Sequence, residues 1–266
     1  MSASRMADSS NRLDAVVLAG GVERGDLFEE TGVAYRPLLE VGGRPIIQRV
    51  LAALRGAMAV GEVVLVAPSP VQAVVGDEAV DRRVIAADSF VENIANGVEA
   101  VAPEAEFVLV VTGDLPLLTS AAINDLCQQA LVARAEAVYP IIPRESSERA
   151  FPGGRRTYAR LREGVFTGGN GVVLARDFVS RRRQLIDRLY GARKNPFRLA
   201  SIFGLGFVFG LITGRLTLPH LEARAGEIIH GRVAAVISSY PELGFDVDKL
   251  DDLRVARRIA ETLDAR

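Results

Sequence analysis

"LDAVVLAGG", residues 13–21, decides how the rest of this 266-residue sequence is read. An aliphatic run with a single charge stops at two glycines, Gly20 and Gly21. Such a run lacks the apolar/polar alternation of a half-exposed strand and suits one buried on both faces. Related runs follow at "EVVLVA" (62–67), "RVIAA" (83–87) and "FVLVVTG" (107–113). Between them, apolar residues recur at helical spacing around 46–57, 91–101 and 120–133. Strands alternating with helices predict an α/β fold, with a mostly parallel central sheet flanked by helices. Ligands of such a sheet sit beyond the carboxyl ends of its strands.

After residue 135 the rhythm changes. "AVYPIIP" (137–143) is a further strand, and "RESSERAFPGGRR" (144–156) reads as a polar loop with a Pro-Gly-Gly turn. "TYARLREGVFTGGNGVVLA" (157–175) reads as strand, turn and strand. Helices are expected from about 176 to 226, then a strand at "RVAAVISS" (232–239) and a loop entering a last helix at "GFDVDKLDDLRVARRIAETL" (244–263). No internal repeat or linker is visible. The expected organisation is a loose polar tail at 1–12 and a domain at 13–266 with a helical insertion near 176–226.

A formal charge of −1 argues against a nucleic-acid partner, which calls for a basic surface. The single cysteine, Cys127, lies in the apolar helical pattern "INDLCQQALV", so it reads as core rather than nucleophile. One cysteine also forms no internal disulfide, which fits a reducing, cytoplasmic setting. The tail has no apolar stretch of a leader peptide. "LASIFGLGFVFGLITG" (199–214) is uncharged but shorter than the roughly 18–20 residues of a transmembrane span. It reads as a buried or interface helix. Over 196–218 it is also the candidate for a homodimer or membrane-surface contact, because Gly206, Gly210 and Gly214 repeat every four residues.

Three places carry chemistry. At Gly20-Gly21, bare backbone lets N–H groups approach an anion, and Arg24 and Arg36 offer guanidinium groups to phosphate oxygens. Neither the dinucleotide pattern G-x-G-x-x-G nor the P-loop pattern is present. In "VLVVTGDLPLLT" (108–119) a strand delivers Asp114, placed either to hold Mg²⁺ or to cap the next turn. In "GFDVDKLDDL" (244–253), Asp246 and Asp248 either cap the last helix or supply a second acidic position. The two histidines, His220 and His230, read as structural or peripheral.

The order "LAGG", "YRPLLEVGGRPII", "ENIANGVEA", "VLVVTGDLPLLT", "FTGGNGVVL" and "GFDVDKLDDL" resembles the MobA-like nucleotidyltransferases, from about Leu13 to Leu263. The resemblance implies a Rossmann-like GT-A fold and Mg²⁺-dependent transfer of NMP from an NTP, with Mn²⁺ as an alternative ion. It places Leu18, Ala19, Gly20, Gly21, Arg24, Asn93 and Gly97 at the nucleotide. It places Gly168, Gly169 and Asn170 on the acceptor side, and Asp114 and Asp248 as metal ligands, with Asp246 an alternate. Arg36 stands where the family usually has Lys, and the first loop is longer than the common form. The implied partners are an NTP, CTP or GTP with CTP favoured, and a small phosphorylated acceptor. Two other readings stay open: a GT-A glycosyltransferase using "DVD" (246–248) as its metal motif, and a non-catalytic nucleotide-binding regulator.

Overall fold

The computed structural model describes residues 12–192 and 201–264. In chain order the strands are β1 (Leu13–Leu18), β2 (Glu40–Val41), β3 (Arg44–Pro45), β4 (Val60–Ala67), β5 (Arg82–Ile85) and β6 (Phe107–Thr112). Then come β7 (Ala137–Pro143), β8 (Ala159–Leu161), β9 (Gly164–Gly168), β10 (Gly171–Ala175) and β11 (Val233–Ile237). Strands β2 and β3 form a separate small ribbon. The others make one sheet in the order β5-β4-β1-β6-β10-β7-β9-β8, with β11 beside β7.

The first half of the sheet is parallel: β1 pairs with both β4 and β6, and β4 with β5. The second half is mostly antiparallel, because β10 runs against β6 and β7, and β9 against β7 and β8. From β1 the chain moves outward through β4 to β5, then returns to place β6 on the other side of β1. The crevice at such a reversal lies between the carboxyl ends of β1 and β6. Those ends carry Gly20 and Asp114.

The uninterrupted Val/Leu strands follow from burial on both faces. Ala15, Val17, Val63, Leu65, Leu109 and Val111 pack into one core with the helices Ile46–Arg55, Ser120–Ala133 and Leu250–Asp264. Val16, Leu18, Val64, Val66, Val108 and Val110 pack on the opposite face with Ile94, Val98, Phe178 and Val179. Successive side chains alternate between two apolar layers.

Local chemistry sets the helix ends that matter. Ser89 caps the helix Phe90–Glu99 by accepting from the Glu92 N–H, and Thr119 caps Ser120–Ala133 through the Ala122 N–H. The last helix is capped from within: the Asp252 carboxylate accepts from the N–H groups of Asp248 and Lys249. That leaves the carboxylates of Asp246 and Asp248 free of the capping role.

The second half departs from expectation in three places. "RESSERA" is a helix, Arg144–Ala150, not a loop; Ser147 is its buried residue, too little apolar signal to reveal it. The stretch 157–175 forms three strands because a tight turn at Arg162 and Glu163 separates β8 from β9. The insertion contains the helices Phe178–Ala192, Leu205–Ile212 and Leu218–Ile229, while residues 193–200 lie outside the described residues. Residues 1–11 of the expected tail also lie outside them. The helix Leu205–Ile212 is not buried: Phe209 and Ile212 are exposed, Gly210 packs on Leu216, and Gly206 has nothing within 4 Å. Among the described residues no helix is long and apolar enough to cross a membrane.

Candidate functional site

A cleft of about 600 Å³ opens at the reversal point. Leu18, Ala19, Gly20 and Gly21 line it, with Arg36, Thr112 and Asp114 at the floor and with Ala87, Asp88, Ser89, Phe90, Asn93 and Tyr190; Asn93 stands beside Gly20. Its size is that of a small-molecule site.

The two glycines serve different ends. A Cβ on Gly20 would stand 3.1 Å from the Ala86 Cβ, so its bareness lets β1 approach the loop after β5. A Cβ on Gly21 would meet nothing within 4 Å, so the space beside it is open. Asn93 holds the facing loop. Its Oδ1 accepts from the Ala87 N–H at 2.6 Å, and its Nδ2 donates to the Ala87 carbonyl at 2.9 Å. Gly97, one turn further along that helix, does not line the cleft. A Cβ there would meet Val16 Cγ1 at 2.4 Å and Val66 Cγ2 at 2.9 Å, so this glycine seats the helix on β1 and β4.

The floor is built by hydrogen bonds between loops far apart in sequence. The Gly113 N–H donates to the Leu18 carbonyl at 2.8 Å, and the Thr112 N–H to that of Asn170 at 3.1 Å. The Asn170 N–H donates to Leu243, and the Val247 N–H to the Asp114 carbonyl. Asn170 is thereby tied to the strand end before Asp114 and to the loop at Leu243, and Gly168, Gly169 and Asn170 do not line the cleft. The Tyr139 hydroxyl donates to the Gly169 carbonyl at 2.7 Å.

Arg36 lies where these loops meet. Its Nη1 donates to Asp248 Oδ1 and lies 3.5 Å from Asp114 Oδ2, and its Nε faces Glu23 Oε2 at 3.2 Å. Two carboxylates far apart in the sequence therefore face one guanidinium nitrogen. Asp248 is half-exposed; Asp114 and Glu23 are mostly buried. Burial pushes the Asp114 carboxyl above its ordinary range despite the pull of Arg36. The same three carboxylates hold the Arg36 guanidinium above its ordinary value, outweighing burial.

Asp246 points to a different partner. Arg156 reaches its carboxylate at 3.5 Å, its carbonyl at 2.6 Å and the Asp252 carboxylate at 3.3 Å, and lies over the Phe245 ring. Burial, with repulsion from Asp114 and Asp248, pushes the Asp246 carboxyl up to about 7. The two acids of "DVD" are thus held by different arginines. That arrangement does not use them as one metal-binding pair.

A divalent ion fits this chemistry. One guanidinium faces Glu23, Asp114 and Asp248, so negative charge is in excess. Asp114 Oδ1 is a buried acceptor without a hydrogen-bond partner. Among the described residues no cluster of three or more His, Cys, Asp or Glu is arranged to hold a metal. Asp114 and Asp248 are the carboxylates that would hold such an ion, with waters and substrate phosphates as its further ligands, as Mg²⁺ is commonly bound.

Arg24 is not brought into the cleft; it is exposed, and its N–H donates to Glu23. Glu23, Thr112, Asp88, Phe90, Tyr190 and Arg156 were not singled out by sequence reasoning. Thr112, inside "VLVVTGDLPLLT", Glu23, beside Arg24, and Phe90, two residues before "ENIANGVEA", had signals adjacent to them. Cys127 is buried, with its thiol pushed up to about 12 by that burial, as the core reading expects.

Residues 15–203 match the family described as MobA-like NTP transferase domain. Among solved structures, a hypothetical transferase from Thermus thermophilus is 38% identical, with a TM-score of 0.82 over 91% of this chain and 99% of that one. A CMP:2-keto-3-deoxy-manno-octonic acid synthetase complexed with CTP is 16% identical, with a TM-score of 0.61 over 95% and 99%. The 4-diphosphocytidyl-2C-methyl-D-erythritol synthase of Anaerococcus prevotii is 16% identical, with a TM-score of 0.57 over 94% and 99%. The last two show likeness of fold. No match was found among curated proteins. With the glycine loop, the carboxylates and the fold in agreement, the chain belongs to the MobA-like NTP transferase family and is a nucleotidyltransferase.

Proposed function

We propose that this enzyme moves NMP from an NTP to a small phosphorylated acceptor, releasing pyrophosphate, with Mg²⁺ held by Asp114 and Asp248. The observation that carries the reading is the meeting of these two carboxylates at one nitrogen of Arg36, on the floor of a cleft walled by Gly20 and Gly21. A bound divalent ion supplies charge neutralisation at the polyphosphate. The chain's own part is positioning. The open space at Gly21 admits a triphosphate against backbone N–H groups. Arg36, already among the carboxylates, supplies positive charge to the group in transfer. Arg24, outside the cleft, is left out of this assignment.

A phosphomonoester oxygen is ionised near pH 7, so in-line attack on the α-phosphorus needs no general base. That suits a cleft lined by neither histidine. By the family resemblance the acceptor would enter on the side of the Asp114 loop nearest Gly168, Gly169 and Asn170, which support that loop and do not line the cleft. CTP is favoured over GTP because the fold neighbours include a CTP complex and a diphosphocytidyl synthase. The buried free thiol of Cys127 suits the cytoplasm.

The test is pyrophosphate release from each NTP with Mg²⁺ across a panel of sugar, polyol and cofactor phosphates. Release with one NTP and one acceptor class supports the reading. Transfer from a nucleotide-sugar without pyrophosphate contradicts it.

A further inference from the structure

The Pro-Gly-Gly turn after the helix Arg144–Ala150 lies against the loop that carries Asp246 and Asp248. A Cβ on Gly154 would stand 3.2 Å from the Phe245 ring, and Phe151 packs on that ring with centroids 4.3 Å apart. Two residues after Gly154, Arg156 enters the loop with its side chain only 9% exposed. Its Nη2 donates to the Asp246 carbonyl at 2.6 Å, and its Nη1 donates to Asp252 Oδ1 at 3.3 Å. The other Asp252 oxygen, Oδ2, accepts from the N–H groups of Asp248 and Lys249. The Val247 N–H is taken by the Asp114 carbonyl. The backbone is thus held at each residue from Asp246 to Lys249, and Arg156 anchors both flanks. The Asp248 carboxylate itself is left to face Arg36.

Resting on the metal assignment made under the proposed function, we propose that Arg156 is a positioning residue for the divalent ion. It does not line the cleft. It acts by fixing the backbone on both sides of Asp248 and by keeping the Asp246 carboxylate engaged at 3.5 Å. Asp has a short side chain, so where its carboxylate stands depends on where its backbone is held. Groups that orient a metal ligand without touching the metal commonly matter about 10–100-fold in its affinity. A guanidinium suits the task because its planar fork reaches a carbonyl and a carboxylate at once, which a single ammonium does not. The other role open to Arg156 is to balance the charges of Asp246 and Asp252 and secure the turn, with no part in the site. The two roles differ in sign. Removing a bystander positive charge would draw a cation more tightly, whereas removing a positioning residue loosens it.

Mn²⁺ titration of the nucleotide-free full chain, followed by electron paramagnetic resonance, separates them, with a melting curve for each variant. Arg156→Met is expected to bind Mn²⁺ about tenfold or more weakly than wild type. Arg156→Lys keeps the charge and serves as the second variant should the Met form fail to fold. It is expected to bind about threefold or more weakly, since one ammonium holds one flank and not both. Both variants should melt lower than wild type. In an Asp248→Asn background, Arg156→Met should still lower the melting temperature but cause no further loss of Mn²⁺ binding. Mn²⁺ affinity of Arg156→Met at or above the wild-type level, an unchanged affinity in Arg156→Lys, or the same further loss in the Asp248→Asn background would overturn the proposal alone. Mn²⁺ binding that Asp248→Asn leaves unchanged would overturn the metal assignment, and the proposal with it.

Discussion

The Val247 N–H donates to the Asp114 carbonyl oxygen at 3.1 Å, so the loop before the last helix is docked onto the loop after β6. One residue later, Asp248 reaches Arg36, which also faces Asp114. This backbone contact brings together two acids that lie far apart in the sequence. Asp252 completes the arrangement by satisfying the N–H groups of Asp248 and Lys249. A side chain that caps from inside the helix leaves the Asp248 carboxylate available for a cation.

Arg36 stands between the two carboxylates where a divalent ion would also be drawn. Arg36→Met should therefore raise the affinity of the nucleotide-free protein for Mn²⁺, by about tenfold, since a competing positive charge is removed. The same variant should lose at least about a hundredfold in pyrophosphate release, and Arg36→Lys should keep most of it. Mn²⁺ titration followed by electron paramagnetic resonance checks the first outcome; weaker Mn²⁺ binding would show that Arg36 supports the site rather than competing for it.

Gly21 and Gly97 should respond in opposite ways. At Gly97 a methyl group would overlap Val16 and Val66, so Gly97→Ala should destabilise by about 1–3 kcal/mol while folded protein keeps its NTP affinity. At Gly21 a side chain meets open space, so Gly21→Val should melt within about 2 °C of wild type yet bind NTP at least about tenfold more weakly. Melting curves beside NTP calorimetry decide it. A stable Gly97→Ala with poor binding would place that residue at the nucleotide.

Cys127 is buried and its thiol is pushed up to about 12, so almost no thiolate exists in the folded protein at neutral pH. An unfolded thiol ionises near its ordinary value. The thiol's contribution to stability is therefore full below that value and is lost as pH rises toward 12. Thiol labelling of the native protein should stay slow between pH 7 and 9 and become fast only with denaturant. Prompt labelling of native protein at pH 8 would mean that Cys127 is reached without unfolding.

The parallel half of the sheet was legible because burial on both faces leaves a plain mark: Val63 to Val66 and Val108 to Val111 are apolar without alternation. Asp114 and the Gly20-Gly21 bend were legible because they end such strands. The polar helix Arg144–Ala150 buries too little to show a helical period, and the following Pro-Gly-Gly obscured it. Arg156 and Glu23 owe their roles to partners brought near by tertiary folding, one clamping Asp246 and the other facing Arg36. Tyr190 meets Phe90 only when two helices pack, and no spacing in the sequence encodes that contact. Gly97 matched a family motif by letter, while the structure gives it a packing reason.

The most direct test is anomalous diffraction from crystals grown with Mn²⁺ and a non-hydrolysable NTP analogue. The account predicts one Mn²⁺ peak within bonding distance of both Asp114 and Asp248 and of a phosphate oxygen, lost in Asp114→Asn and in Asp248→Asn. An ion held by the phosphates alone, or bound unchanged in both variants, would contradict it.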